Sequence, residues 1–180
     1  MASNQNSAIQ KFKSNRVKTK AREDLASENP NGDLIQIFLL IGFIGLIILD
    51  NFIFHWFQPI HNLLPWYFAL LIGAPFLITG GILAKNGLSI VFGETRETPC
   101  VITKGSFRFS RHPIYLGSLL VYIGWILASL SILGLIYFIP VFFFYNYIAK
   151  YEEGKLIQKF GTEYEDYMKK VPRWIKIPFQ

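Results

Sequence analysis

From Ile114 to Ala149 the chain runs for 36 residues without a charged side chain. A soluble amphipathic helix of that length would carry a polar face, and this run has none. A bilayer core about 30 Å thick is crossed by roughly 20 apolar helical residues. The run is therefore too long for one crossing and suits two rather short ones. The segment "ASLSILG" near its middle offers the turn, which predicts a tight helical hairpin with Pro140 kinking its second arm. Two further runs of spanning length come earlier. One extends from Leu34 to about Phe57 and ends in Phe52, Phe54, Trp56 and Phe57, an aromatic belt of the kind found at a membrane interface. The other extends from about Trp66 to Ala84, after the uncharged turn "QPIHNLLP" marked by Pro59 and Pro65.

Where the charges lie sets the orientation. All eighteen Lys and Arg residues fall in three blocks, residues 1–33, 85–111 and 150–180, and Asp50 is the one charged residue outside them. The net charge of +6 is thus no nucleic-acid footprint, since a nucleic-acid binder would spread its cations over a folded face. By the positive-inside rule the three basic blocks share the cytoplasmic side. The expected fold class is all-α: a multi-pass integral membrane protein with about four transmembrane helices and both termini cytoplasmic. Residues 1–33 have the composition of a flexible basic tail, residues 34–180 form the membrane domain, and 85–180 is its catalytic part. The N-terminus does not read as a cleaved signal peptide, because about thirty polar residues precede the first apolar run. The single cysteine, Cys100, excludes an internal disulfide framework and a thiolate-rich zinc site.

Charged and aromatic residues crowd the doorstep of the long apolar run in "FRFSRHPIYLG", residues 107–117. Beyond that run, "YEEGKLIQKFGTEYEDYMKKVPRW" places Leu156, Ile157, Phe160, Tyr164, Tyr167, Met168 and Val171 at helical spacing, an amphipathic segment able to lie on or dock against the membrane face. Gly161 reads as a helix C-cap, and Thr162 with Glu165 as a capping box opening a second short helix. Glu152 and Glu153 are adjacent, so on a helix they point roughly 100° apart and one of them is expected to face a given ligand.

The order of these pieces, Lys104-Gly105, Arg111-His112-Pro113, Tyr115, Gly117, then a hairpin, then Glu152-Glu153, Phe160-Gly161, Tyr164, Tyr167 and Val171-Pro172-Arg173, resembles the isoprenylcysteine carboxyl methyltransferase family. Relatives of that family include bacterial and archaeal membrane methyltransferases and phospholipid N-methyltransferases. The resemblance covers roughly residues 85–175. It implies a methyltransferase dependent on S-adenosyl-L-methionine, with the cofactor in a cytoplasmic pocket capped by the C-terminal helices. It assigns cofactor contacts to Pro99, Cys100, Val101 and Ile102, to Phe107, to His112, Pro113, Ile114 and Tyr115, and to Glu152 or Glu153. Family members often carry Tyr at position 107, so Phe107 keeps the ring without the hydroxyl. Members directed at prenylcysteine carry an arginine about a turn before the acidic pair. Ile148 and Ala149 stand there in this chain, which argues for a different lipophilic acceptor.

The chemistry of such a cofactor agrees. It carries an ammonium, a carboxylate and a sulfonium, so Glu152 can hold the first and Arg111 or His112 the second by charge-assisted hydrogen bonds. Phe107 and Tyr115 offer aromatic faces to the adenine or sulfonium. No G-x-G-x-x-G follows a strand-like run, so the Rossmann way of binding is absent. The expected acceptor is a small lipophilic molecule, a carboxylate, amine or thiol, arriving from the bilayer. His112 and Glu152 are the catalytic candidates, either one able to take a proton from an amine. Two other readings stand beside this one: an NADPH-dependent enzyme like the sterol reductases, which share an Arg-His-Pro-x-Tyr-x-Gly segment, and a non-enzymatic membrane scaffold. Asp50 reads as structural, close enough to the outer interface for its charge to be cheap. Asp50, His55 and His61 lack metal-ligand spacing, and no metal is expected. Asn146 is expected either to line the cavity or to bond between helices.

Overall fold

A computed structural model describes residues 32–54, 65–93 and 100–175, and among these every regular element is helical. Helix α1, Gly32–Leu49, passes directly into a π-helical turn, Asp50–Phe54. Helix α2 is Trp66–Gly93, a short 3₁₀ turn is Gly105–Arg108, and the hairpin is α3, Pro113–Ser129, with α4, Ile132–Phe160. Helix α5, Thr162–Lys170, is the last regular element among the described residues. Three segments, Leu34–Phe54, Tyr67–Gly93 and Ile132–Phe160, are long and apolar enough to cross a membrane, and α3 is a shorter apolar helix. The aromatic residues at 56 and 57, His55, His61, Pro99 and the N-terminal tail lie outside the described residues.

The hairpin turns where its sequence places it. Leu130 adopts a left-handed conformation (φ 49°) and Ser131 caps α4, its hydroxyl accepting from the Gly134 N–H at 3.0 Å. Asp50 is buried there, 4% exposed, rather than exposed at an interface. Its Oδ2 accepts from the Ser131 hydroxyl at 2.6 Å and from the Leu133 N–H at 3.1 Å. The carboxylate thus satisfies donors at the positive end of α4. Asp50 is structural, as expected, but through a buried cap and not through snorkelling.

Lipid is as apolar as leucine, so helices in a membrane hold together by close packing. Helices α2 and α3 are antiparallel and meet through glycines spaced seven apart, Gly73, Gly80 and Gly87 on α2, Gly117 and Gly124 on α3. A Cβ added at Gly80 would stand 2.6 Å from the Gly117 carbonyl oxygen, and one at Gly117 the same distance from that of Gly80. Across the bundle, Phe43 of α1 packs in a core with Leu119, Tyr122 and Ile126 of α3 and Val141 and Tyr145 of α4. Its ring meets Tyr122 edge-on, centroids 4.6 Å apart.

Three details depart from expectation. Helix α2 continues nine residues past Ala84, to Gly93, because the helix outlasts its apolar stretch and carries Leu88, Val91 and Phe92 to the cavity described below. Helix α4 continues past Glu152 and Glu153 to Phe160, with Pro140 inside it, so the membrane helix and the acidic pair belong to one element. The residue before α5 is Gly161 (φ 55°), which ends α4 and starts α5 without a side-chain cap. Thr162 is already helical, so no capping box forms. The apolar residues of the C-terminal segment cluster with one another, Tyr164, Tyr167 and Val171 packing with Val101, Leu156, Ile157, Phe160 and Met168.

Candidate functional site

A cavity of about 360 Å³ opens at the end of the bundle opposite the hairpin turn. That volume is within the range of small-molecule sites. Its walls come from chain segments far apart in sequence: Cys100, Val101 and Ile102; Phe107; Arg111 to Tyr115; and Glu152 with Leu156 and Phe160 on the outer turns of α4. Tyr164 and Tyr167 of α5 and Gln36 of α1 complete the lining. Of the residues assigned to the site from sequence, all that are described line this cavity except Glu153. Asn146 does not line it.

The polar floor is built around His112, which is 6% exposed. The residue sits where Pro113 starts α3, a proline being suited to a helix's first turn. Its backbone N–H donates to the Ser110 hydroxyl at 3.1 Å. Its ring stands between two carboxylates, Nδ1 3.5 Å from Glu152 Oε2 and Nε2 3.3 Å from Glu153 Oε1. Burial alone would push the imidazole down, but the hydrogen bonds and charges of both glutamates outweigh it and hold the group above its ordinary value. Tyr115 lies one turn along α3, its ring stacked on the imidazole at an interplanar angle of 4° and its hydroxyl donating to Glu152.

The two glutamates divide their work as adjacent helix positions must. Glu152 faces the cavity. Glu153 is turned into the protein, its side chain 4% exposed, and takes two guanidinium groups. Arg111 donates to its Oε1 through Nε at 2.9 Å and Nη2 at 2.8 Å, and Arg173 donates to Oε1 at 3.1 Å and to Oε2 at 2.6 Å. The remaining Arg111 nitrogen, Nη1, donates to the carbonyls of Met168 and Val171. Every nitrogen of Arg111 is therefore committed to the protein, which leaves the His112 imidazole beside Glu152 in the cavity lining.

The strap after α5 is fastened to the loop before α3. The Arg111 N–H donates to the Pro172 carbonyl at 3.0 Å, the Ser110 hydroxyl to that of Arg173 at 2.7 Å, and the Tyr167 hydroxyl to that of Phe107 at 2.7 Å. Arg173 also donates to Asn146 Oδ1 at 2.9 Å, which resolves Asn146 as a helix-to-strap contact. Two residues escaped sequence reasoning. Arg173 belonged to the Val-Pro-Arg motif but had no partner until the fold supplied Glu153. Gln36 lies far from every motif, and its signal was its polarity in an apolar helix. Among the described residues no group of three or more His, Cys, Asp or Glu side chains is arranged to hold a metal ion.

Residues 68–163, just over half of the chain, match the model of the phospholipid methyltransferase family. Among curated proteins, the chain is similar to protein-S-isoprenylcysteine O-methyltransferases from several organisms. It is 36% identical over 89 residues to the Mus musculus protein, covering 49% of this chain and 31% of that one. Identity to the Saccharomyces cerevisiae protein is 37% over 98 residues, 53% of this chain and 40% of the relative. For Schizosaccharomyces pombe it is 30% over 93 residues, covering 49% and 38%. The match thus spans well under half the length of these relatives. No solved structure matches the chain significantly.

Proposed function

The chain belongs to the phospholipid methyltransferase family, and from that premise we propose that it is an integral membrane methyltransferase that uses S-adenosyl-L-methionine and methylates the polar head of a lipophilic acceptor. One observation carries the reading. Segments around residues 100, 107, 112 and 152, separated in the chain by a hairpin, converge on a single cavity with an acid, an imidazole and aromatic rings at its floor.

The donor set suits the cofactor. Glu152 supplies a carboxylate for its ammonium, His112 an N–H donor for its carboxylate, and Phe107, Tyr115 and Tyr164 supply aromatic surfaces. When bound, the cofactor provides an electrophilic methyl group on a sulfonium. The protein's own contribution is alignment and exclusion of water, since methyl transfer needs no protein nucleophile. Tyr115 and His112 hold the Glu152 carboxylate in one orientation. An amine acceptor would have to give up a proton, to Glu152 or to His112. A carboxylate or thiolate acceptor would need no base.

The basic blocks support a cytoplasmic site, with α3 crossing beside α2 as the fourth span and both termini on the same side. Thermal melting in detergent tests the reading: S-adenosylhomocysteine should raise the midpoint and NADPH should not. Radiolabelled methyl transfer into a lipid extract tests the acceptor, and label appearing only in water-soluble products would overturn it.

A further inference from the structure

Glu153 is shared among two guanidinium groups and one imidazole, and the arginines hold it more closely than the ring does. Its Oε1 meets Arg111 Nη2 at 2.8 Å, Arg111 Nε at 2.9 Å and Arg173 Nε at 3.1 Å, whereas His112 Nε2 is 3.3 Å away. A carboxylate oxygen offers two lone pairs, so three guanidinium N–H groups already oversubscribe it. Arg173 Nη2 takes the other oxygen at 2.6 Å, and its Nη1 donates to Asn146 Oδ1 at 2.9 Å. Asn146 and Glu153 are about two turns apart on α4, so the Arg173 guanidinium lies lengthwise along one face of that helix.

The strap also reaches His112 through its backbone. The Arg173 carbonyl accepts from the Ser110 hydroxyl, whose oxygen accepts the His112 N–H, and the Trp174 ring lies 6.3 Å from the imidazole. The other groups around the ring are Glu152 and Tyr115, with Arg111 beside Glu153 and Tyr164 of α5 in the same lining. An imidazole between two free carboxylates would keep its proton at every physiological pH, and each guanidinium on Glu153 works against that. We infer that Arg173 is a positioning residue for His112: by engaging Glu153 together with Arg111 it weakens that carboxylate's hold on the ring, so the imidazole stays able to take and release a proton at the cavity. The assignment stands on the hydrogen bonds. Its use, a ring whose charge answers to the donor's carboxylate or an acceptor's amine, rests on the methyltransferase reading above.

The chain has three histidines, so its imidazoles can be followed singly by nitrogen-15 NMR of histidine-labelled protein in detergent, with His112→Gln identifying the His112 signals. In Arg173→Gln the His112 titration midpoint should move to higher pH, because one guanidinium is gone and Glu153 turns its charge to the ring. Arg173→Lys keeps the charge, and its midpoint should lie closer to the native one. Tyr167→Phe loosens α5 at Phe107 without touching Glu153 and should leave the midpoint in place. An unchanged midpoint in Arg173→Gln would overturn the role of Arg173. So would a fall toward the ordinary 6.5, the result expected if Arg173 merely fastens the strap. The melting shift caused by S-adenosylhomocysteine, measured over the same pH range, should persist to higher pH in Arg173→Gln, and identical pH dependence in both chains would overturn the ring's part in donor binding. An unaltered chain with no such shift at any pH would instead overturn the methyltransferase reading, while the His112 titration would still judge Arg173.

Discussion

The acidic pair shows how two identical side chains at adjacent positions acquire different work. Glu153 answers two guanidinium groups, one of them, Arg111, itself only 9% exposed. Breaking such a pair from one side leaves a cation without its partner, at a cost of about 3–5 kcal/mol. Glu153→Gln should therefore lower the melting midpoint sharply. Glu152→Gln should lower the midpoint less, since it faces His112 and Tyr115 and no guanidinium, and should abolish any shift caused by S-adenosylhomocysteine. Equal effects of the two substitutions on both readings would remove the division of labour. The imidazole between them makes a pH signature. Its folded value stands above the ordinary 6.5, so its ionic contribution is complete below about pH 6.5 and is lost as pH rises through the folded value. Melting midpoints of the native chain and of His112→Gln, taken from pH 6 to 9, should converge toward the alkaline end. That glutamates and imidazole would meet was legible from their order in the chain. That Arg111 would be spent entirely on Glu153 and backbone carbonyls was not, because its partners lie 42 to 60 residues away.

At the scale of elements, hydropathy located α1, the hairpin and its turn, since span length and charge exclusion are set by the bilayer and need no tertiary knowledge. What hydropathy cannot register is how helices touch. The glycines at 73, 80 and 87, and at 117 and 124, add little to an apolar profile, yet they let the backbones of α2 and α3 approach closely. Gly80 and Gly81 give a paired test within one helix. A methyl at Gly80 would press on the Gly117 backbone, whereas one at Gly81 meets nothing within 4 Å. Overpacking of this kind costs about 1–3 kcal/mol, set against roughly 1 kcal/mol gained when alanine replaces a helical glycine. Gly80→Ala should lower the melting midpoint or leave it unimproved, and Gly81→Ala should hold or raise it. The short helix α5 was read correctly as amphipathic, but its partners were not legible. Its tyrosines pack on Val101 and the end of α4, and so roof the cavity.

For the whole molecule, geometry and charge bear on one question, which end of the bundle meets the cytoplasm. Because α2 and α3 are antiparallel, with Gly73 beside Gly124 and Gly87 beside Ile114, Pro65 and the Leu130 turn share one end and the cavity occupies the other. The described residues at the cavity end include Lys104, Arg108, Arg111 and Lys150, while no Lys or Arg lies between residues 112 and 149 or between 33 and 84. The asymmetry of basic residues then predicts the sidedness of the cavity. In a Cys100→Ser background, single cysteines at exposed positions would report it: Thr103→Cys and Glu163→Cys near the cavity, Pro65→Cys at the far end. An impermeant maleimide added to intact cells should label Pro65→Cys alone, and labelling of the other two should require opened membranes. The reverse pattern would place the charged floor outside, where the cell keeps little S-adenosylmethionine, and would leave a cytoplasmic methyl donor without a route to Glu152.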